Sequence, residues 1–315
     1  MGLATVHHPG YTIDLPDAHP FPMRKFRVLR EQLAASPYSE VAEWLQPEPV
    51  DPALLTRVHT LEYIDAFLNG RTERAAQRRT GFQWSEDLVA RVRLETGGTV
   101  LTVQAALECG LALNTAGGTH HAHADAGSGY CLINDIAVAA VHALASGWAR
   151  RILVVDLDVH QGDGTAGLLQ DEPAVFTYSM HARTNFPARK RAGDLDIALD
   201  KGVADAEYMG MLERTLPRLL SQVRPELVIY DAGVDVHAQD RLGHLELSDA
   251  GITRRDTYVL QTCRESGIPV AGLIGGGYDR DIDALAQRHA LLFHAAQGLW
   301  HASGPLLAFE GEQEG

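Results

Sequence analysis

The stretch ILVVDLDVHQGDG, residues 152–164, decides the fold. Its first four residues, Ile152 to Val155, are apolar on both faces, as in a parallel strand covered by helices on each side. Polar residues begin where that run stops: Asp156, Asp158 and His160 alternate with Leu157 and Val159. In extended chain, side chains two residues apart project the same way, so these three point together. The same arrangement recurs at four other short apolar runs, 111–113, 175–178, 227–230 and 270–274. Each is followed by polar residues able to bind metal or move protons: His120, His121 and His123 after the first, then Ser179-Met180-His181, Asp231 with Asp235 and His237, and Tyr278-Asp279 after three glycines. Longer amphipathic stretches at 135–146, 205–223 (containing Pro217), 248–264 and 281–300 separate the runs. Strand and helix in that order predict an α/β fold of three layers, a mostly parallel open sheet with helices on both faces, in one domain over 1–315. In such sheets ligands bind beyond the carboxyl ends of the strands.

The first hundred residues read as mostly helical. Asp51-Pro52 is a cap followed by proline at the first helical position. A pattern through Leu54, Leu55, Val58, Tyr63, Ile64 and Phe67 ends at Gly70, with His59-Thr60 as a division into two helices. The basic runs Arg71, Arg74, Arg78, Arg79 and Arg189-Lys190-Arg191 read as solvated faces.

Composition limits the function classes. The 315 residues carry 27 Lys and Arg against 41 Asp and Glu, a net charge of −14, so direct nucleic-acid binding is not expected. No segment has the roughly 18 consecutive apolar residues of a membrane span, and residues 1–9 lack the pattern of a secretory signal. Cys109, Cys131 and Cys263 fit no CxxC spacing, which points to free thiols in a reducing, cytoplasmic setting.

Two carboxylates and a histidine buried side by side cost several kcal/mol for each unpaired charge, so a divalent cation or positive partners must offset them. Asp158 and His160, with Asp235 as the best third ligand, make an O/N/O set with an open position, which suits catalytic zinc. A capping Asp and a hydrogen-bonded core His explain a lone pair of such residues, but less readily this cluster. Beside a metal, His120 and His121 are suited to moving the proton of an attacking water, with Asp156 and Asp163 fixing their tautomers. Tyr278 is placed to stabilise an oxyanion. No GxSxG, GxGxxG or P-loop motif is present.

These residues resemble the histone deacetylase superfamily. The matching runs are THHAHADAGSGYCLIND (119–135), VVDLDVHQGDGT (154–165), YSMH (178–181), DAGVDVHAQDRLGHLELSDAGI (231–252) and GGGYDRD (275–281). With HPFPMRKF (19–26), the segment DRLGHLELSDAGI looks most like class IV enzymes and their bacterial relatives. The resemblance implies an arginase/deacetylase-like fold and a zinc-dependent hydrolase that removes acetyl or other acyl groups from lysine ε-amines in proteins or peptides. It implies zinc on Asp158, His160 and Asp235, and His121 as general base and then acid, oriented by Asp163. His120, paired with Asp156, would stabilise the transition state, and Tyr278 would polarise the carbonyl. A structural potassium ion would lie on the main chain of Asp156, Asp158 and His160, with Ser179 and Met180. The acyl-lysine tunnel would be lined by Gly129, Tyr130, Phe186 and Leu242, with Tyr130 where the family usually has Phe. The rivals are a deacylase of a small acylated amine such as an acylpolyamine, a two-manganese ureohydrolase using Asp231 and Asp163, and an inactive acyl-lysine reader.

Overall fold

Residues 152–156 form the expected strand, buried at every position. The computed structural model describes residues 2–16 and 18–304. Among these, eight strands make one sheet: β1 (Leu3–Val6), β2 (Ala42–Leu45), β3 (Leu111–Asn114), β4 (Ile152–Asp156), β5 (Val175–Ala182), β6 (Leu195–Leu199), β7 (Leu227–Asp231) and β8 (Val270–Leu273). The order across the sheet is β2-β1-β3-β8-β7-β4-β5-β6, and each pairing is parallel. The five strands expected from the sequence are the central ones.

Alternation along those strands builds two cores. Leu153, Val155, Val228 and Tyr230 face one side, with the helices Lys25–Ala34, Asp205–Val223, Asp249–Glu265 and Ile282–Ser303. Ile152, Val154, Leu227 and Ile229 face the other, against the helices Glu86–Cys109 and Asp135–Ala145. The second of these offers mainly alanine to the sheet (Ala137, Ala139, Ala140, Ala143). Three layers result, as expected from strands apolar on both faces.

Three differences from the sequence reading stand out. The first hundred residues contribute β1, between β2 and β3, and β2, at the sheet edge, as well as helices, because four-residue segments are defined by their pairing partners more than by local pattern. The edge strand β6, LDIAL, was likewise not expected. It pairs with residues 178–182, so β5 runs on past the apolar run 175–178 through Ser179, Met180 and His181. The division at His59-Thr60 is present: Asp51 caps the turn Pro52–Leu55, and Thr60 caps Leu61–Leu68. All three cysteines are buried and unpaired. Among the described residues no helix is long and apolar enough to cross a membrane.

His59 ties these N-terminal helices to the loop that bears His120 and His121. Its Nε2 accepts from the Asn134 amide at 3.0 Å, so Nδ1 carries the proton and donates to the His123 carbonyl at 2.8 Å. A second proton would set N–H against N–H. Burial, opposed by the backbone hydrogen bonds, pushes His59 from 6.5 down to about 4. The unfolded chain therefore takes up this proton first. The stabilisation from neutral His59 is complete above its unfolded value and is lost as pH falls through its folded value. The stability gap between wild type and His59→Gln should narrow by about 3 kcal/mol from about pH 7.5 to 4 in denaturant unfolding. A gap that does not change with pH would refute this.

Candidate active site

Asp158, His160 and Asp235 meet above the carboxyl ends of β4 and β7, and all three are buried. His160 Nδ1 lies 3.0 Å from Asp158 Oδ1 and 3.1 Å from Asp235 Oδ2. The outer lone pairs are already engaged. Asp158 accepts from the amides of His160 and Gly276, both at 2.8 Å, and Asp235 accepts from that of Val159 at 2.8 Å. One shared proton or one cation at the centre satisfies all three. Burial opposes charge on His160, but Asp158 and Asp235 outweigh it and push the imidazole up to about 10; burial and the Asp158 charge push Asp235 up to about 7. A divalent cation fits this donor set, which has two carboxylates and one imidazole, all pinned and facing inward. The expected ligands are therefore together.

His120 and His121 lie beside this cluster, with their Nε2 atoms 3.2 Å apart. His120 Nδ1 donates to Asp156 Oδ2 at 2.8 Å, and His121 Nδ1 donates to Asp163 Oδ1 at 2.7 Å. Burial disfavours both imidazolium forms. Around His120 it is outweighed by Asp156, Asp158 and Asp231, which raise the group well above 6.5. His121 is pushed down to about 3, by burial and then by the charge of His120. Against burial, the hydrogen bonds from His121 and His123 hold Asp163 well below the usual carboxylate range. Their surroundings thus push two adjacent histidines in opposite directions, favouring a proton on His120 and disfavouring one on His121. Tyr278 is partly exposed. Its amide donates to Asp240 Oδ2 at 2.6 Å, and its ring lies 6.3 Å from that of His160. Burial and the charges of Asp158 and Asp235 raise its phenol well above the usual value, so it remains a donor.

The four expected tunnel residues also collect here. The Phe186 ring stands edge-on to His121 at 4.8 Å. Gly129 (φ +51°) fits between the two, where a Cβ would lie 2.7 Å from His121 Cδ2. Tyr130 adopts φ +65°, rare outside glycine. Leu242 is linked through its carbonyl to Asn185, next to Phe186, and these two apolar residues remain 40% and 45% exposed. Beneath the site, β4–β5 pairing sets Ser179 beside Asp156.

Sequence reasoning missed several contributors. Asp231 entered it only as a ligand for a rival two-metal site. It is fully buried with neither carboxylate oxygen hydrogen-bonded, 3.6 Å from His120 Nδ1, and burial with the Asp156 charge raises it well above the carboxylate range. Lys25 is buried under Tyr278 and donates to the Gly275 carbonyl at 3.2 Å; burial pushes it down to about 8 despite Asp235 and Asp158. Arg255 is fully buried and donates to the carbonyls of Leu157, Ala232 and Gly233, which lie just past the ends of β4 and β7. No local spacing marks these residues, since each acts across a long stretch of chain.

Gly276 offers a direct test of the cluster. A Cβ there would sit 2.2 Å from Asp235 Oδ2 and 2.4 Å from Asp158 Oδ2, two atoms whose carboxylates are held by backbone amides. Gly276→Ala should weaken divalent-metal affinity by roughly 10–100-fold, read by chelator competition on the folded protein. Unchanged affinity would remove these carboxylates from the metal site.

Comparison with known proteins identifies the family and the fold. The chain is 49% identical over 300 residues to an uncharacterized protein of Picosynechococcus sp., covering 95% of this chain and 100% of that protein. It is 31% identical over 269 residues to Histone deacetylase 2 of Arabidopsis thaliana, covering 82% of this chain and 70% of that one. The crystal structure of the HDA15 HD domain has the same fold, with a TM-score of 0.75 at 22% identity over 95% of this chain and 97% of that chain. Since the family model described as the histone deacetylase domain matches residues 19–295, most of the chain, the protein belongs to the histone deacetylase family of hydrolases.

Proposed function

We propose that this chain is a zinc-dependent amidohydrolase that removes acyl groups from lysine ε-amines of proteins or peptides, acting as one catalytic domain in the cytoplasm. The observation that carries the reading is the adjacent pair His120-His121, Nε2 atoms 3.2 Å apart and each Nδ1 held by an aspartate, beside the three converging donors Asp158, His160 and Asp235. Zinc on Asp158, His160 and Asp235 would supply Lewis acidity, polarising the acyl carbonyl and acidifying a water. His121 Nε2 takes the proton from the attacking water and returns it to the departing amine, while Asp163 keeps the proton on Nδ1 and the lone pair on Nε2. His120, charged and held by Asp156, faces the negative charge that develops on oxygen. The Tyr278 hydroxyl donates to that oxygen from the other side. Phe186, Tyr130, Gly129 and Leu242 enclose the aliphatic stem of the lysine and exclude water. Asp156, Asp158, His160, Ser179 and Met180 would hold potassium and steady the β4 end.

A two-manganese ureohydrolase finds some support in the second donor set, His120, Asp156 and Asp231. That set is weaker, because no hydrogen bond fixes either oxygen of Asp231, whereas backbone amides fix both aspartates of the first set. Metal analysis of the folded chain should find one divalent ion; two would favour the ureohydrolase.

The central test offers one peptide with acetyl, propionyl, crotonyl, lactyl or long-chain acyl lysine to the zinc-loaded protein, with Asp158→Ala as the blank. Turnover of at least one form, absent from the blank, is expected. No turnover across the panel would reject the lysine-deacylase reading. Tyr278→Phe should lower kcat by about 10²–10³ with little change in KM, the effect of losing one oxyanion donor. An unchanged kcat would remove Tyr278 from the mechanism.

A further inference from the structure

The tunnel mouth opens beside a groove whose charge is opposite to that of the chain. The groove, about 420 Å³, is lined by Arg24, Arg27, Arg241 and Arg280 against Asp14 and Asp279. Asp279 is already paired with Arg288 at 2.6 Å. Arg27 has only a long 3.7 Å contact to Glu31. Among the described residues, the guanidinium groups of Arg24, Arg241 and Arg280 have no hydrogen bond or ion pair. In a protein with net charge −14, a local excess of arginine without a partner among the described residues is not what average composition produces.

The groove adjoins the tunnel through shared residues. Phe21 lines it, and the Phe21 ring packs 5.2 Å from Tyr130 and 6.5 Å from Tyr278. The amide of Arg241 donates to the Tyr278 carbonyl at 3.0 Å, and the next residue is Leu242 at the rim. Arg74 and Arg78 line a second opening with Gly81 and Phe82, and Phe82 packs on Tyr130 at 5.8 Å. Arginine therefore flanks the Tyr130 side of the entrance, while Phe186 and Leu242 supply its apolar rim.

We propose that this groove is an anion subsite for the polypeptide flanking the acylated residue, so that the enzyme selects acyl-lysine among acidic side chains and disfavours it in a basic tail. The inference deepens the lysine-deacylase reading and rests on it. An extended peptide advances roughly 3.3 Å per residue, so a carboxylate a few positions from a lysine seated in the tunnel reaches the groove. Guanidinium recognises carboxylate through paired N–H donors, which requires arginines free of other partners. A cationic acylpolyamine would meet like charge at the same place.

The test uses the acyl group turned over in the panel above, in three peptides of equal length with acidic, neutral or basic flanks. At low salt kcat/KM should rank acidic, neutral, basic, with roughly tenfold between the extremes, since exposed ion pairs are individually weak and several act together. The spread should shrink at high ionic strength. Within an Arg24→Gln/Arg280→Gln variant the acidic-to-basic ratio should fall toward one. Equal turnover of all three peptides by the wild type, a preference for basic flanks, a ratio unmoved by the variant, or preference for an acetylated polyamine would each overturn the subsite. Those outcomes leave the deacylase reading standing where the neutral peptide is hydrolysed; failure on every peptide overturns both.

Discussion

Five aspartates, Asp156, Asp158, Asp163, Asp231 and Asp235, lie buried within one cluster at the carboxyl ends of β4 and β7, and keeping them there governs the surrounding structure. An unpaired buried carboxylate costs several kcal/mol, so each must find a donor, a proton or a cation. The donors are supplied in distinct ways. Backbone amides of Val159, His160 and Gly276 serve the central pair, which requires the chain to pass close above it. Histidines serve Asp156 and Asp163. Asp231 has no hydrogen bond, and burial with the Asp156 charge raises it well above the carboxylate range while His120, 3.6 Å away, opposes them. The same need explains Gly233, Gly275 and Gly276, since a side chain at any of them would meet a carboxylate oxygen.

Precision at the site is set from a distance. The loop carrying His120 and His121 is anchored by Asp135, the first residue of the helix Asp135–Ala145. Its carboxylate accepts from the amides of Gly118 and Thr119 and from the Thr119 and Thr99 hydroxyls. The neighbouring Asn134 caps that helix through its oxygen and donates to the carbonyls of His120 and Ala122. His59 holds the far side of the same loop. On β4 and β7, Arg255 gathers three carbonyls just past the strand ends while paired to Asp256 at 2.8 Å, so its own charge is compensated where it lies. Side chains that bear chemistry are thus backed by groups whose only task is orientation.

How much of this was legible in the sequence follows from the range of the forces involved. Asp156, Asp158 and His160 were readable because alternation in extended chain is a local rule, and Asp235 because it follows the next apolar strand. The central strands were readable because they are apolar on both faces. The edge strands β2 and β6 were not, since they are only partly buried and borrow their definition from a neighbour, and neither was the four-residue β1 between β2 and β3. The far half of β5, Ser179 to His181, was legible only as polar residues after an apolar run, because pairing with β6 rather than an apolar pattern makes it strand. Lys25, Arg255 and His59 were invisible as site components: Lys25, though inside the run 19–26, acts at the Gly275 carbonyl, Arg255 at the ends of β4 and β7 and His59 on the loop of His120 and His121, each across a long separation.

The pair His120-His121 shows how little of a residue's behaviour lies in its identity. Both are buried imidazoles, adjacent in sequence, each donating from Nδ1 to one aspartate at nearly the same distance. What separates them is the number of carboxylates around each. His120 faces Asp156, Asp158 and Asp231, whose combined field overcomes desolvation. His121 has Asp163 alone, and that carboxylate is shared with His123 at 3.3 Å. Once His120 is charged, its own proton further discourages one on His121, so the asymmetry reinforces itself. The two positions are therefore not exchangeable: burial and the charge of His120 both disfavour a proton on His121, which is what the base role proposed for it requires.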